Sequence, residues 1–175
     1  MIKIRAAKYD DSEALAQIQV DSYRSAYAGI LPQSYLDAFS YEEQTQDWRD
    51  LLVQPQSFIL LIAEGETGEV IGYALGHAGE TALPPYDSEL DALHVRRADQ
   101  RQGAGRALIT AMAQSLADEG AAAMMLWVLK QNPARALYER LGGQPLGHRS
   151  VTLDEGDTMA DELAYGWDDI RLLTG

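Results

Sequence analysis

Apolar positions along the chain fall into short blocks whose spacing predicts alternating strands and helices. Residues Ile2 to Arg5 alternate apolar and basic, the period of a first strand. Asp10, with Glu13 three residues on, predicts a capping box opening a helix that carries Leu15 and Ile18 inward. Tyr23, Tyr27, Gly29 and Ile30-Leu31-Pro32 read as a break between helices. Ser40-Tyr41-Glu42-Glu43 repeats the capping pattern and starts a helix that holds Trp48, runs to about Leu52 and is stopped by Pro55. Phe58 to Ala63 is a continuous apolar run, the signature of a strand buried on both faces. Gly65 to Glu69 supplies a turn, and Val70 to Leu75 returns as its antiparallel hairpin partner.

After a rigid loop at Ala82-Leu83-Pro84-Pro85-Tyr86, a strand from Ser88 to Val95 is expected, then a helix from Gly103 to near Gly120. That helix places Leu108, Met112, Ser115 and Leu116 on one stripe. Ala123 to Val128 is again strand-like, so strand, helix and strand form a crossover with the two strands parallel. Asn132-Pro133 predicts an N-cap followed by proline at the first helical position, with Ala134, Leu137, Tyr138 and Leu141 on one face and Gly142-Gly143 at the end. Two last strands, about Gln144 to Leu153 and Met159 to Trp167, flank the acidic turn Asp154-Glu155-Gly156-Asp157. There is no internal repeat, low-complexity tract or linker, and 175 residues with 46% hydrophobic side chains suit one domain over residues 1–175.

Cysteine is absent, which removes a disulfide framework, a thiolate nucleophile and a cysteine-rich zinc site. His77, His94 and His148 are scattered without metal-ligand spacing, so no metal is expected. No segment has the apolar length a bilayer span needs, and a cytoplasmic protein is the expectation. The formal net charge of −13 opposes binding to nucleic acid or to an anionic membrane, and favours either a cationic substrate or simply an acidic solvated surface. Against that background Arg96, Arg97, Arg101 and Arg106 concentrate around one turn.

That turn carries the chemistry. Gly103 and Gly105 lack a Cβ and let backbone N–H groups close on an anion at a helix N-terminus, a site suited to a pyrophosphate. A Walker A loop would need Gly-Lys-Ser/Thr where Arg106-Ala107 stands, and a dinucleotide fingerprint would need a third small residue where Leu108 stands. Gln100-Arg101-Gln102-Gly103-Ala104-Gly105 instead resembles the Gln/Arg-x-x-Gly-x-Gly/Ala turn of the GNAT superfamily, the acyl-CoA-dependent N-acetyltransferases. The segment Leu126 to Gly143 resembles the family's second signature, Asn-x-x-Ala-x-x-Phe/Leu-Tyr-x-x-x-Gly-Phe: Ala134, Leu137, Tyr138 and Gly142 keep its spacing, Asn132 stands one residue closer to them than in the pattern, and Gly143 replaces the final aromatic residue.

The resemblance implies a mixed, mostly antiparallel sheet of about seven strands, helices on both faces, and two splayed parallel strands at its centre. It implies acetyl-CoA as cosubstrate: backbone of Leu93 and Val95, with His94 between them, along the pantetheine, and the N–H groups of Arg101, Gln102, Gly103, Ala104, Gly105 and Arg106 on the pyrophosphate. Asn132 would reach the pantetheine arm as well as cap its helix, with Arg135 beside it in the cofactor site. Tyr138 would stand near the sulfur and protonate the departing thiolate; otherwise it is a core aromatic. The acceptor would be a small-molecule or peptide amine, attacked directly in a ternary complex, and a homodimer is compatible with the family. Asp87, Glu89 and Asp91 fall at alternate positions, on one strand face unless a bulge intervenes, and Glu89 or Asp91 is the candidate base unless that face is merely solvated. Tyr23, Tyr27 and Tyr86 lie in segments that flank the acceptor side in this family. The rival reading is a catalytically idle acyl-CoA-binding or regulatory module of the same fold.

Overall fold

A computed structural model describes residues 1–54, 57–153 and 159–174. One seven-stranded sheet organises them: β1 Lys3–Ala6, β2 Ile59–Glu64, β3 Val70–Ala78, β4 Ser88–Val95, β5 Met124–Leu129, β6 Gln144–Thr152 and β7 Met159–Trp167. Their spatial order is β1-β2-β3-β4-β5-β7-β6, antiparallel throughout except for the parallel pair β4–β5 at the centre. Helices α1 Ser12–Ala26, α2 Gln33–Asp37 and α3 Tyr41–Val53 precede β2, α4 Ala104–Asp118 joins β4 to β5, and α5 Arg135–Arg140 joins β5 to β6.

Alternation along β2 explains its unbroken apolar run. Leu61 and Ala63 enter the core that α4 covers, while Leu60 and Ile62 enter the opposite core, with Leu15, Ile18 and Trp48 of α1 and α3. The α4 stripe Leu108, Met112 and Leu116 is fully buried, and Ile109 and Ala113 widen it; each large apolar side chain there contributes roughly 1.5–3 kcal/mol. The Trp48 indole N–H donates to Gln19 Oε1 at 2.7 Å, which ties α3 to α1.

Several local expectations are corrected. The Asp10–Glu13 capping box is not made: a 3-10 turn over Tyr9–Asp11 precedes α1. Asp11, not Asp10, takes the Lys8 N–H at 2.7 Å, and its carboxylate also holds the Arg5 guanidinium at 2.7 and 2.9 Å. The Ser40 cap forms, with Ser40 Oγ accepting from the Glu43 N–H at 3.1 Å. Helix α1 runs through Tyr23, which sequence spacing put in a break, and α2 fills part of that break. Strand β3 continues three residues past Leu75. Asn132 caps through the Ala134 N–H at 2.8 Å, but the first turn is of 3-10 type and regular helix starts at Arg135. Pro55 and the acidic turn at 154–157 lie outside the described residues.

Candidate active site

Strands β4 and β5 share a single registered pair, Glu89 with Met125, and then diverge. Beyond it, the backbone of residues 90–95 on one side and 126–129 on the other has no neighbouring strand across the gap. Two adjacent edges with unmet N–H and C=O groups form a slot that an extended, amide-bearing molecule can fill as a surrogate strand. On the other edge β4 is fully engaged, pairing Leu93 with Ala74, His94 with Tyr73 and Val95 with Gly72.

The slot opens at its C-terminal end onto the turn before α4. Arg101 (φ 64°) and Gly103 (φ 98°) both take left-handed backbone conformations, which swing successive N–H groups toward a common concavity. Among the described residues no acceptor meets the N–H groups of Arg101, Gln102 or Gly103. The helix ladder begins only with the Ala107 N–H on the Gly103 carbonyl at 3.0 Å, so the α4 terminus adds further unmet donors. Arg101 and Arg106 are exposed there and form no ion pair among the described residues. Arg96 does not join them: it is committed to Asp99 at 2.5 Å and faces Glu69 at 3.7 Å. The two glycines have different tasks. A Cβ on Gly103 would meet no atom within 4 Å, so its requirement is conformational. A Cβ on Gly105 would lie 3.1 Å from Leu137 Cδ2, so this glycine lets α4 pack against α5.

Between the diverging strands, on the α1–α2 side of the sheet, lies a cavity of about 150 Å³ whose walls include Tyr23, Tyr27, Asp91, His94, Trp127, Asn132, Tyr138 and Glu162. A wider depression of about 860 Å³ between α1 and α3 is open and bordered by polar helix-surface residues such as Glu13, Gln17 and Arg49. It has no unpaired strand edge, so the inter-strand cleft is the candidate site. The Tyr138 side chain is 5% exposed, and burial pushes its phenol well above the usual range, so the hydroxyl keeps its proton at neutral pH. Tyr27 Oη and Asn132 Nδ2 approach to 3.5 Å, which leaves Asn132 little held on its amide nitrogen. The His94 ring stacks on Tyr23 (centroids 5.8 Å apart) and is tilted against Tyr73 (5.2 Å), and burial lowers its pKa to about 4.

A β-bulge decides the acidic face. The β3–β4 register shifts between Leu75 and Gly76, so Leu75 pairs with Ala92 but Gly76 with Leu90, and Asp91 is the extra residue. Asp91 thereby lines the cleft, while Glu89 pairs across β3 with His77. Asp87 has a structural task instead, accepting from the Ala122 and Ala123 N–H groups at 2.9–3.0 Å. His77 Nδ1 lies 2.8 Å from Asp91 Oδ2, and donor atoms of His77, Glu89 and Asp91 all fall within 4.8 Å of one another. The histidine scatter along the chain thus concealed a cluster that could also hold a cation. Burial first, then the Asp91 charge, raises the Glu89 pKa; the Asp91 hydrogen bond raises that of His77.

Two expected site residues sit elsewhere or are otherwise engaged. Tyr86 precedes β4, at the end of the sheet away from the turn; its hydroxyl donates to Asp168 Oδ1 at 2.6 Å and its ring covers Gly166. It does not line the cleft. Arg135 spends its guanidinium on Tyr165 Oη (3.1 Å), the Lys130 carbonyl (2.7 Å) and Glu139 (3.5 Å), fastening the β5–α5 connection. Sequence reasoning missed His77, Trp127 and Glu162. His77 could be found only from hairpin register, and Glu162 only from the pairing of β7 with β5.

This sheet, splayed at its parallel pair with a donor-rich turn at the mouth, defines an α/β architecture with a slot for an extended, amide-bearing anion. The model of the acetyltransferase (GNAT) family matches residues 14–143, and the chain belongs to that family. It is 31% identical over 173 residues, 99% of this chain and 96% of its relative, to the uncharacterized N-acetyltransferase YuaI of Bacillus subtilis strain 168. The fold matches the crystal structure of PaiA N-acetyltransferase from Thermoplasma acidophilum in complex with coenzyme A, with TM-score 0.68, 19% identity, and 92% of this chain and 98% of that one covered. It also matches yncA of Salmonella typhimurium with its cofactor acetyl-CoA, with TM-score 0.66, 21% identity, and 95% and 93% covered. No helix among the described residues is long and apolar enough to cross a membrane.

Proposed function

We propose that residues 1–175 form one N-acetyltransferase domain that moves an acetyl group from acetyl-CoA to a primary amine by direct attack in a ternary complex. The observation that carries this reading is the slot between β4 and β5, with one registered strand pair, ending on the unmet N–H groups of Arg101 to Gly103. Those donors would take the pyrophosphate, the backbone of Leu93 to Val95 the pantetheine amides, and Asn132 Nδ2 the pantetheine arm. Acetyl-CoA, when bound, supplies the thioester. The chain's own residues then handle two protons. Glu89 or Asp91 takes one from the incoming ammonium, directly or through water; as the C–N bond forms and the C–S bond breaks, Tyr138 protonates the departing thiolate and is re-protonated by the second proton, which the nitrogen of the new amide sheds. Tyr23 and Tyr27 wall the acceptor side. Two proteins of the same fold whose structures hold coenzyme A and acetyl-CoA support the choice of cosubstrate. The test is thiol release from acetyl-CoA across amines, peptides and aminoglycosides. Amine-dependent release supports transfer; tight CoA binding without turnover on any acceptor supports an idle acyl-CoA module.

Gly103→Val is expected to weaken CoA binding at least about tenfold with the fold retained. The left-handed backbone at this position is strained by roughly 1–3 kcal/mol for a β-branched residue, and relief comes by re-aiming the N–H groups. Calorimetry on the folded variant checks it, and unchanged affinity removes the turn from the site.

If Glu89 is the working base, kcat falls as pH drops through its raised pKa, because the carboxyl must be ionised to accept a proton. The acid limb of the kcat profile is then expected above the usual glutamate range. Glu89→Gln should abolish that limb and lower the plateau about tenfold or more. A limb that survives in Glu89→Gln assigns the base to Asp91 or to water.

A further inference from the structure

Arg149 of β6 pairs across the sheet with Glu162 of β7, and its Nε donates to Glu162 Oε2 at 2.7 Å. Its guanidinium carbon lies 4.0 Å from the centroid of the Trp127 ring. The indole face sets the plane of the guanidinium and the carboxylate fixes its Nε edge, so the arginine is held like a bracket. Among the described residues its two terminal amino groups make no hydrogen bond. Trp127 and Glu162 are both walls of the acceptor cleft, which puts this fork at the cleft's rim. The Trp127 Nε1–H is also buried without a hydrogen-bond partner among the described residues. The Arg149 side chain is 41% exposed, so its planar fork is open to an incoming oxygen acceptor at the rim.

The cleft therefore has two unlike ends. Asp91, near Glu89 and His77, offers negative charge to an ammonium. The other place where a cation would settle, the Trp127 face beside Glu162, is already filled by the protein's own Arg149. A polyamine would bring its second ammonium against a guanidinium. A simple amine would engage only the Asp91 end and leave the fork to solvent. We propose that the acceptor is a zwitterion, a primary amine that carries a carboxylate, with the amine at Asp91 and the carboxylate in the terminal fork of Arg149. The inference rests on the amine-acetylation reading and narrows its substrate class. A carboxylate is favoured over a phosphate because Glu162 stands at the same guanidinium, and a second negative charge beside it would be repelled.

The experiment compares matched acceptors, L-phenylalanine with phenethylamine, L-lysine with cadaverine and L-tyrosine with tyramine, by thiol release from acetyl-CoA. The wild type is expected to favour each carboxylated partner at least about tenfold in kcat/KM. Arg149→Gln should erase that preference mainly through KM, and Arg149→Lys should restore only part of it, because an ammonium lacks the planar fork. Removing Arg149 also leaves Glu162 uncompensated, so the Arg149→Gln/Glu162→Gln double variant is included to restore the local charge. The preference should stay lost in it. The proposal is overturned if decarboxylated amines equal or exceed their partners in the wild type, if the preference survives Arg149→Gln, or if it returns in the double variant. Absence of thiol release with every amine of both kinds would instead overturn the acetyl-transfer reading, and this inference with it.

Discussion

Replacing Tyr138 with phenylalanine is expected to lower kcat about a hundredfold, roughly 3 kcal/mol of barrier, with CoA affinity and folding stability nearly unchanged. Helix α5 delivers this side chain into the cleft wall, where the ring is almost wholly buried and packs near Tyr165 and Trp167 at 6.2 and 6.5 Å. Phenylalanine keeps those ring contacts and removes only the oxygen. Among the described residues the hydroxyl makes no hydrogen bond, so deleting it strands no partner and the folded state loses little. Burial keeps the phenol protonated at working pH, which makes it a standing donor to a leaving thiolate. Steady-state rates with a pre-steady-state check on the limiting step settle the matter. Wild-type kcat in the variant, with chemistry limiting, would return the proton transfer to water and Tyr138 to the core.

The second large effect concerns stability in acid. The His94 ring carries no hydrogen bond among the described residues and sits between two tyrosine rings, and burial sets its pKa at about 4 against an ordinary 6.5. The unfolded chain therefore binds a proton that the folded chain refuses, and stability falls as pH drops from about 6.5 toward 4. Fully expressed, the loss is up to about 3 kcal/mol; attraction of a charged ring to the tyrosine faces offsets part of it. His94→Phe keeps a ring of similar size and removes the titration. Urea unfolding at about pH 7 and about pH 4.5 should show a markedly smaller decline for the variant. Equal declines in both proteins would mean that the imidazole is solvated in the folded state.

Elements whose physics is local were legible from the residues alone. Strands β4 and β7 begin and end where expected, because turn residues bound their apolar runs. The Ser40 cap and the buried stripe of α4 likewise follow from spacing within one or two turns. What was not legible depends on contacts between distant segments. Helix α2, five residues of mixed polarity, has too short a pattern to announce itself and is held by Leu36 in a small core with Leu31, Leu129 and Ala160. Tyr86 has a sequence neighbourhood that suits a pocket, yet the direction of β4 puts it at the wrong end of the sheet. The strand alternation of Asp87, Glu89 and Asp91 was visible, but a single bulge gave them three different surroundings. Trp127, Arg149 and Glu162 meet only because β5, β7 and β6 are neighbours, and no spacing along the chain encodes that triplet.

The central claim is that the cleft between β4 and β5, with the turn before α4, holds coenzyme A. Backbone amide NMR during titration with coenzyme A tests it most directly, since the proposed contacts are mainly N–H groups. Saturating shifts at Arg101, Gln102, Gly103, Ala104, Gly105 and Arg106, together with Leu93 to Val95 and Leu126 to Val128, are predicted. Contradiction would be a titration in which those amides stay in place while residues bordering the α1–α3 depression, such as Glu13, Gln17 and Arg49, carry the shifts.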